Sequence, residues 1–443
     1  MSHLDTTSKD AVFQWRGIPQ PGQLLPLGLQ HVVAAVVGVI TPAILVADTC
    51  GLSSADKTLM IQVSLILTAM ATLLQLFPIF HRIGSGLPVI MGISFAYIPT
   101  LQAIGGEFGL PTILGAEIVG GIVAIVFGVL VKWIRPLFPP LVTGTVIFTI
   151  GLSLYPTAVK YMAGGAGSEW FGSAKSWAVA LITLAVVVFL NHFTKGITKL
   201  ASILIGILAG YVIAYFLGIV DLSGVGSAAW VALPRPMPFD IQFVPAACVS
   251  LGIVYVVNAV QTIGDLSSTT MGGMDRMPTD KELSGGIVGQ GVMSILGAFF
   301  GGLPAATYSQ NVGIVTVNRV INRAVFALAA LILLVAGLVP KFASLLTTIP
   351  QCVIGGATIS VFATITMTGI RMITEGGFTP RKSSVVGLSV ALGVGITQVS
   401  GCLAGEGFPA WVNTVFGSSS VVVAALMAIL LNLILPKEPS ANG

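Results

Sequence analysis

Charge is what this chain has least of. Only 8% of its 443 residues are Asp, Glu, Lys or Arg, whereas 55% are hydrophobic and the mean hydropathy is +0.98. A soluble globular chain carries roughly 25% charged residues. A deficit this large excludes an ordinary water-soluble fold, because most of the surface must meet a medium that does not solvate charge, and that medium is lipid. Cysteine and histidine are also sparse, at four each. Cys50, Cys248, Cys352 and Cys402 have no C-x-x-C spacing, and His3, His31, His81 and His192 have no ligand spacing, so neither a metal site nor a disulfide framework is expected. No basic run interleaved with aromatics points to nucleic acid. Ser, His and carboxylate residues are nowhere grouped as nucleophile and base, so an enzyme is not expected. Residues 1–22 are polar and lack an apolar core, so they read as a tail and not as a cleaved signal peptide.

What is abundant is apolar sequence in helix-length runs. About 20 such residues cross a bilayer. Long runs fall near 25–47, 58–79, 112–132, 174–193, 199–219, 246–264, 284–301, 323–339, 384–401 and 412–434. Runs near 138–155 and 346–370 are richer in Pro and Gly, and two more, at 86–101 and 302–317, are short and broken. The expectation is an all-α integral membrane protein of about fourteen segments. Counting loops alternately puts Lys57, Lys160, Lys175, Arg235 and Lys341 on one side and the remaining fifteen of the 20 Lys and Arg residues on the other. Cytoplasmic loops hold the excess of positive charge. Both termini are therefore expected in the cytoplasm, with the chain multi-pass in the cell (plasma) membrane and a second tail at 436–443. The same asymmetry accounts for the net charge of +4.

The two broken segments resemble each other. Gly86-Leu87-Pro88 precedes Ser94, and Gly302-Leu303-Pro304 precedes Ser309, at offsets of 216 and 215 residues. A second echo follows, Pro140 to Gly144 against Pro350 to Gly355. Shared order and near-constant offset predict two homologous halves. With seven segments each, an odd number, the second half must be inverted, and the broken segments are the third and the tenth. Paired interrupted segments in inverted halves point to a transporter's binding site. Non-helical backbone at membrane depth survives only inside protein or along a cavity, where its free N–H groups and the positive ends of half-helices can hold a polar solute.

Charges inside spans cost roughly 2.5–3.5 kcal/mol and are functional by default. Asp48 and Glu117 read as lying near helix ends, and Asp265 deeper. Gln261 and Asp265, four apart, share one helix face with an amide and a carboxylate. Tyr308-Ser309-Gln310-Asn311 follows the second break and puts two adjacent amides inside a membrane segment. Unpaired in hydrocarbon they would be costly, so they are expected to line a site for a neutral, hydrogen-bonding ligand.

Gln310-Asn311-x-Gly313 followed by Arg319 resembles the signature of the nucleobase–ascorbate transporter family, Gln/Glu/Pro-Asn-x-Gly-x-x-x-x-Thr-Arg/Lys/Gly, with Asn318 where Thr is usual. Gln261-Thr262-Ile263-Gly264-Asp265 is similar to the family's Glu-x-x-Gly-Asp, and Leu29-Gln30-His31 and Gly92-Ile93-Ser94-Phe95-Ala96 also fit its patterns. The resemblance implies a core domain (23–135 and 240–339) carrying the substrate and a gate domain (136–222 and 340–435), often dimeric, with the core moving like an elevator. It implies that Gln261 and Gln310 grip a base edge and Phe95 flanks the ring. Backbone at Phe95 and Ser309, beside Ser94 and Asn311, would complete the substrate contacts, with Asp265 and His31 as supporting or coupling polar residues. No cofactor is implied beyond a coupling ion, H+ or Na+. Where the family has a carboxylate this chain has Gln261, which cannot release a proton, so Asp265, His31 or another ion must supply the coupling. Two glutamines suit the alternating N–H and C=O groups of xanthine, urate or uracil, and the Gln310-Asn311 form resembles the xanthine and urate branch more than the uracil branch. The expected function is ion-coupled import of an oxidised purine. The alternatives are a uracil permease, or a sulfate or bicarbonate transporter of the same fold.

Overall fold

The computed structural model describes residues 9–436 except 18, 81, 135, 137, 223, 224, 227, 376, 400 and 418. His3, His81, Arg135, Lys437 and nearly all of the tail at 436–443 lie outside the described residues.

Where the sequence is apolar over helix length, the chain is helical. The first half runs α1 (Pro21–Thr49), α2 (Ser54–Leu76), β1 (Met91–Ile93), α3 (Ile98–Phe108), α4 (Leu110–Val129), α5 (Pro140–Met162), α6 (Ala174–Phe193) and α7 (Ser202–Phe216). The second half runs α8 (Pro245–Met274), α9 (Asp280–Phe300), β2 (Ala305–Thr307), α10 (Ser309–Asn318), α11 (Arg323–Gly337), α12 (Pro340–Thr347), α13 (Gln351–Thr374), α14 (Pro380–Gln398) and α15 (Ser420–Ile434). Among the described residues, 8 helices are long and apolar enough to cross a membrane, α7 and α15 are shorter apolar helices, and α12 bends 79° away from α11. Helix starts follow local chemistry. Ser53 accepts from the Asp56 N–H to open α2, and Thr279 with Glu282 forms a capping box on α9.

The two halves pack alike. α4 lies on α9 as α11 lies on α2, and α4 lies on α8 as α11 lies on α1. α6 packs on α7 as α14 does on α15, and α5 and α13 meet each other along their length. Exchanging the halves therefore maps the packing onto itself. Close approach of α5 and α13 depends on glycine, since a Cβ on Gly369 would fall 2.4 Å from the Phe148 nitrogen.

Pro88 and Pro304 stand just ahead of the breaks, where each removes a backbone donor and turns the preceding residue away from helix. The chain then runs extended for three residues in both halves. β1 and β2 satisfy each other in an antiparallel ladder, Met91 opposite Thr307, Gly92 opposite Ala306 and Ile93 opposite Ala305. The remaining donors meet hydroxyls in matching fashion. Met91 N donates to Thr72 Oγ1 on α2 (2.9 Å), and Ala305 N donates to Ser294 Oγ on α9 (3.0 Å). Tyr308 then locks the crossing, because its ring and hydroxyl fill the space a side chain on Gly38 or Gly92 would need.

Candidate functional site

The extended strands deliver the ends of two half-helices to one place. Ser94 caps the turn Phe95–Tyr97 that leads into α3, accepting from Ala96 N at 3.1 Å. α10 starts at Ser309 without a side-chain cap, which leaves first-turn N–H groups for another acceptor. Between them and α8 is a cavity of about 470 Å³. Ser94, Phe95, Gln261, Asp265, Ser309 and Gln310 line it together, although they come from three separate stretches of sequence. Thr143, Ile147 and Ile150 of α5 and Val361, Thr364, Ile365 and Thr368 of α13 form the opposite wall. Phe95 presents itself to Phe362 of that wall edge to face, with ring centroids 5.4 Å apart.

The polar groups of the cavity are unequally engaged. Asp265 is held by two hydroxyls, Thr307 Oγ1 donating to Oδ2 at 2.6 Å and Ser309 Oγ donating to Oδ1 at 2.8 Å. Gln261 Nε2 donates weakly to Ser309 Oγ at 3.3 Å. The Gln310 side chain is exposed to the cavity and makes no side-chain hydrogen bond among the described residues. No Lys or Arg stands among the cavity-lining residues. Such a surface offers amide and hydroxyl donors and acceptors, one carboxylate and an aromatic edge.

Two of the expected residues do not reach the cavity. Asn311, expected among the substrate contacts, is buried on the far face of α10, where Nδ2 donates to the His31 carbonyl and to His31 Nδ1, both at 3.0 Å. A helix turns 100° per residue, so Gln310 and Asn311 cannot face the same way. His31 is likewise buried, against the Phe326 ring, and ties α1 to α10. Its Nδ1 accepts, which places the ring proton on Nε2. Asn318 donates to Gln30 of α1 at 3.3 Å, and Arg319 pairs with Asp275 at the exposed surface.

Sequence reasoning missed three features. The first is a buried chain of hydrogen bonds behind the cavity. Thr307 Oγ1 approaches Thr262 Oγ1 (3.5 Å), Thr262 donates to Gln290 Oε1 (2.7 Å), and Gln290 Nε2 donates to Asn258 Oδ1 (2.6 Å) and Tyr97 OH (3.3 Å). A lone Gln290 in the otherwise apolar middle of α9 was the available signal. The second is Glu117, which is not near a helix end in any exposed sense but fully buried on α4. The third is a knot of polar contacts at the far end of the α5–α13 wall. Asp48 of α1 pairs with Lys57 and accepts from Tyr161 OH of α5 (2.7 Å) and Gln351 Nε2 of α13 (2.5 Å). Nearby, Thr157 of α5 donates to Gln102 of α3 (3.2 Å), and Thr100 of α3 bonds Ser419 (2.8 Å).

A helical membrane bundle whose two broken segments meet antiparallel at a polar cavity is the architecture of a solute transporter. Comparison with known proteins agrees. Residues 22–401 match the profile of Xan_ur_permease, described as a permease family. The chain is 35% identical to the xanthine permease of Bacillus subtilis, covering 93% of this chain and 94% of that protein. It is 35% identical to the uric acid permease PucK of the same organism (95% and 97%), and 32% identical to the uric acid transporter UacT of Escherichia coli (94% and 86%). Among solved structures it resembles the transmembrane domain of a cyanobacterial bicarbonate transporter, BicA (TM-score 0.58, 16% identity, 92% of this chain and 97% of that one). It also resembles the murine anion transporter Slc26a9 in the inward-facing state (TM-score 0.64, 11% identity, 94% and 68%). At those identities the likeness is one of fold. The chain belongs to the nucleobase–ascorbate transporter family of permeases, and it is a transporter and not an enzyme.

Proposed function

We propose that the protein imports an oxidised purine, xanthine or urate, by ion-coupled symport with elevator-type alternating access. The observation that carries the reading is the pairing of Gln261 and Gln310 on one cavity that lacks Lys and Arg. An amide offers a donor and an acceptor side by side, and so does each imide edge of xanthine. Phe95 flanks the plane of the ring, the uncapped start of α10 meets a carbonyl, and Ser94 and Ser309 close the ends. A volume of about 470 Å³ lies in the roughly 300–1,000 Å³ range of small-molecule sites. The relatives named above for xanthine and uric acid support the same substrate class.

In this reading α1–α4 and α8–α11 (23–135 and 240–339) are the moving core, and α5–α7 and α13–α15 (within 136–222 and 340–435) are the gate. The substrate lies between them, against α5 and α13. Contacts of Asp48 with Tyr161 and Gln351, and of Gln102 with Thr157, cross from core to gate on the side away from the cytoplasm. The cavity reaches Thr143, Ser268 and Met372, close to the cytoplasmic ends of their helices. The arrangement corresponds to a carrier closed outside and open inside. Both termini are cytoplasmic and the protein resides in the cell membrane, by the distribution of Lys and Arg. The gate helix α6 is the least buried of the long spans, with 28% of its apolar window covered, and it is available for lipid or for a second copy in a homodimer. Asp265, fixed by Thr307 and Ser309, orients the binding-site hydroxyls, and the coupling ion is H+ or Na+. A sulfate or bicarbonate carrier of the same fold would also use the uncapped start of α10, and it is the two amides, with no Lys or Arg on the cavity wall, that favour the nucleobase.

The test is uptake of radiolabelled xanthine into cells or proteoliposomes, competed by urate, uracil, guanine and sulfate. Saturable uptake blocked by urate and indifferent to sulfate is expected. Preferential block by uracil would move the substrate to pyrimidines, and block by sulfate would remove the nucleobase reading.

A further inference from the structure

Three carboxylates are singled out within the bundle, and they are treated differently. Asp48 is met by Lys57, Tyr161 and Gln351, and Asp265 by Thr307 and Ser309. Glu117 is 0% exposed, and neither of its carboxylate oxygens has a hydrogen-bond partner among the described residues. Other buried groups here also lack a partner, Tyr255 OH among them, but Glu117 is the one buried acid with both oxygens unpaired among the described residues, and such a group calls for a specific reason. An ionised carboxylate at such a place would be strongly unfavourable. A carboxyl kept protonated for structural reasons alone would be expected to donate its proton to a fixed acceptor, and no such acceptor holds it.

We propose that Glu117 is where the coupled proton is held during transport, and that the buried network between it and the cavity makes proton binding and substrate binding depend on each other. The inference rests on the transport reading above and adds to it the identity and the seat of the coupling ion. Two phenols, Tyr97 and Tyr255, pack together on the α4 side of the core with their rings tilted at 54° and centroids 4.9 Å apart. Tyr255 fits in the space left by Gly120, one turn along α4 from Glu117. Gly297 of α9 closes the other side, where an added Cβ would stand 3.6 Å from Glu117 Oε1 and 2.8 Å from Leu67 Cδ1. Among the described residues of α3, α8 and α9, which pack on α4, the remaining titratable groups are Glu107 on α3, Cys248 and Asp265 on α8, and the charged residues that open α9. Glu107 stands at the exposed end of α3, the charged residues of α9 are confined to its first turn, and the polar residues α9 places inward are the neutral Gln290 and Ser294. Hard metal cations require a shell of several oxygens. Leu67, Gly297 and two aromatic rings do not supply one, whereas a proton needs only the carboxylate.

Between Tyr97 and the cavity the polar groups are connected, while Glu117 itself forms no hydrogen bond to them among the described residues. Tyr97 OH accepts from Gln290 Nε2, which leaves its own hydrogen uncommitted among the described residues. A change in the charge of Glu117 alters the field at that hydroxyl in a low-dielectric interior. Gln290 is bonded in turn to Thr262, and Thr262 approaches Thr307, whose hydroxyl holds Asp265 at the cavity. A change of charge at Glu117 is thereby felt by the groups that meet the ligand. The chemical step is the binding of one proton to Glu117 on loading and its loss on release, with no other bond made or broken.

The experiment uses the full chain in proteoliposomes, comparing wild type with Glu117→Gln. Wild type is expected to exchange radiolabelled xanthine and to accumulate it when the outside is acid. E117Q keeps the shape and the neutral form, so exchange should stay within about twofold of wild type while gradient-driven accumulation falls by about tenfold or more. Accumulation by E117Q equal to wild type would overturn the proposal, as would wild-type accumulation that follows a sodium gradient at equal pH. Wild type failing to exchange xanthine at all would instead remove the transport reading beneath it. If E117Q does not assemble, Glu117→Asp decides. A displaced pH profile of accumulation supports the assignment, and a profile identical to wild type overturns it.

Discussion

The side-chain amide of Gln351 donates a 2.5 Å hydrogen bond to Asp48, joining residues 303 positions apart that begin one helix and end another. With Tyr161 bonded to the same carboxylate, α1 is fastened to α5 and α13 at one end only. Hydrogen bonds to a charged group contribute about 1.5–3 kcal/mol each. Gln351→Ala is therefore expected to shift the carrier about tenfold toward the state open outside. The check is labelling of an Ile150→Cys reporter in the cavity by a membrane-impermeant maleimide applied from outside, which should rise severalfold in the Q351A background. Unchanged labelling would mean that the contact does not control closure.

Gln310 is exposed to the cavity and spends no side-chain bond on the protein. Its truncation should leave folding intact and take away ligand contacts, each unmade bond to a buried polar group costing about 1–3 kcal/mol. Gln310→Ala is expected to lower xanthine uptake by about tenfold or more at wild-type expression. Uptake at the wild-type level would place the ligand elsewhere.

The neighbouring residue makes the opposite case. Asn311 faces away from the cavity and holds His31. Asn311→Ala should therefore act on stability, leaving buried acceptors on α1 unpaired at a cost of about 1–3 kcal/mol. A lower melting temperature of the detergent-solubilised protein, with KM for uptake within about twofold of wild type, is the expected pattern. A large rise in KM at unchanged stability would show that Asn311 does meet the substrate.

Gln261 bonds Ser309, which bonds Asp265. Replacing the amide with a carboxylate puts two acids on one hydroxyl, and like charges so close resist joint ionisation. Gln261→Glu is expected to change the pH profile of uptake or the ranking of competitors. A profile and ranking identical to wild type would take Gln261 out of the binding site.

The parts of this architecture that repeat, or that break a helix, were legible in the sequence. Two Gly-Leu-Pro breaks 216 residues apart announced β1 and β2, and the polar run from Tyr308 to Asn311 announced the cavity. What sequence could not supply was direction. Adjacent amides look equivalent on the page, and only the start of α10 at Ser309 decides that Gln310 faces the cavity and Asn311 faces α1. The α5–α13 wall was invisible for another reason. Threonines occur on several faces of α13, Thr358 and Thr366 being buried elsewhere, so Thr364 and Thr368 do not by themselves single out the side that meets the cavity. Glu117 was misplaced because an acidic residue a few positions into a span reads as near water, whereas α4 is enclosed there by α8 and α9.

The three-rung ladder between Met91–Ile93 and Ala305–Thr307 has a consequence for biogenesis. Neither strand satisfies all of its backbone from its own half, so a nascent chain that has inserted β1 carries unpaired ladder groups in the membrane until some two hundred further residues have been synthesised. A gene split in the loop between α7 and α8 should therefore yield two fragments that are degraded when made singly and that accumulate only when made together.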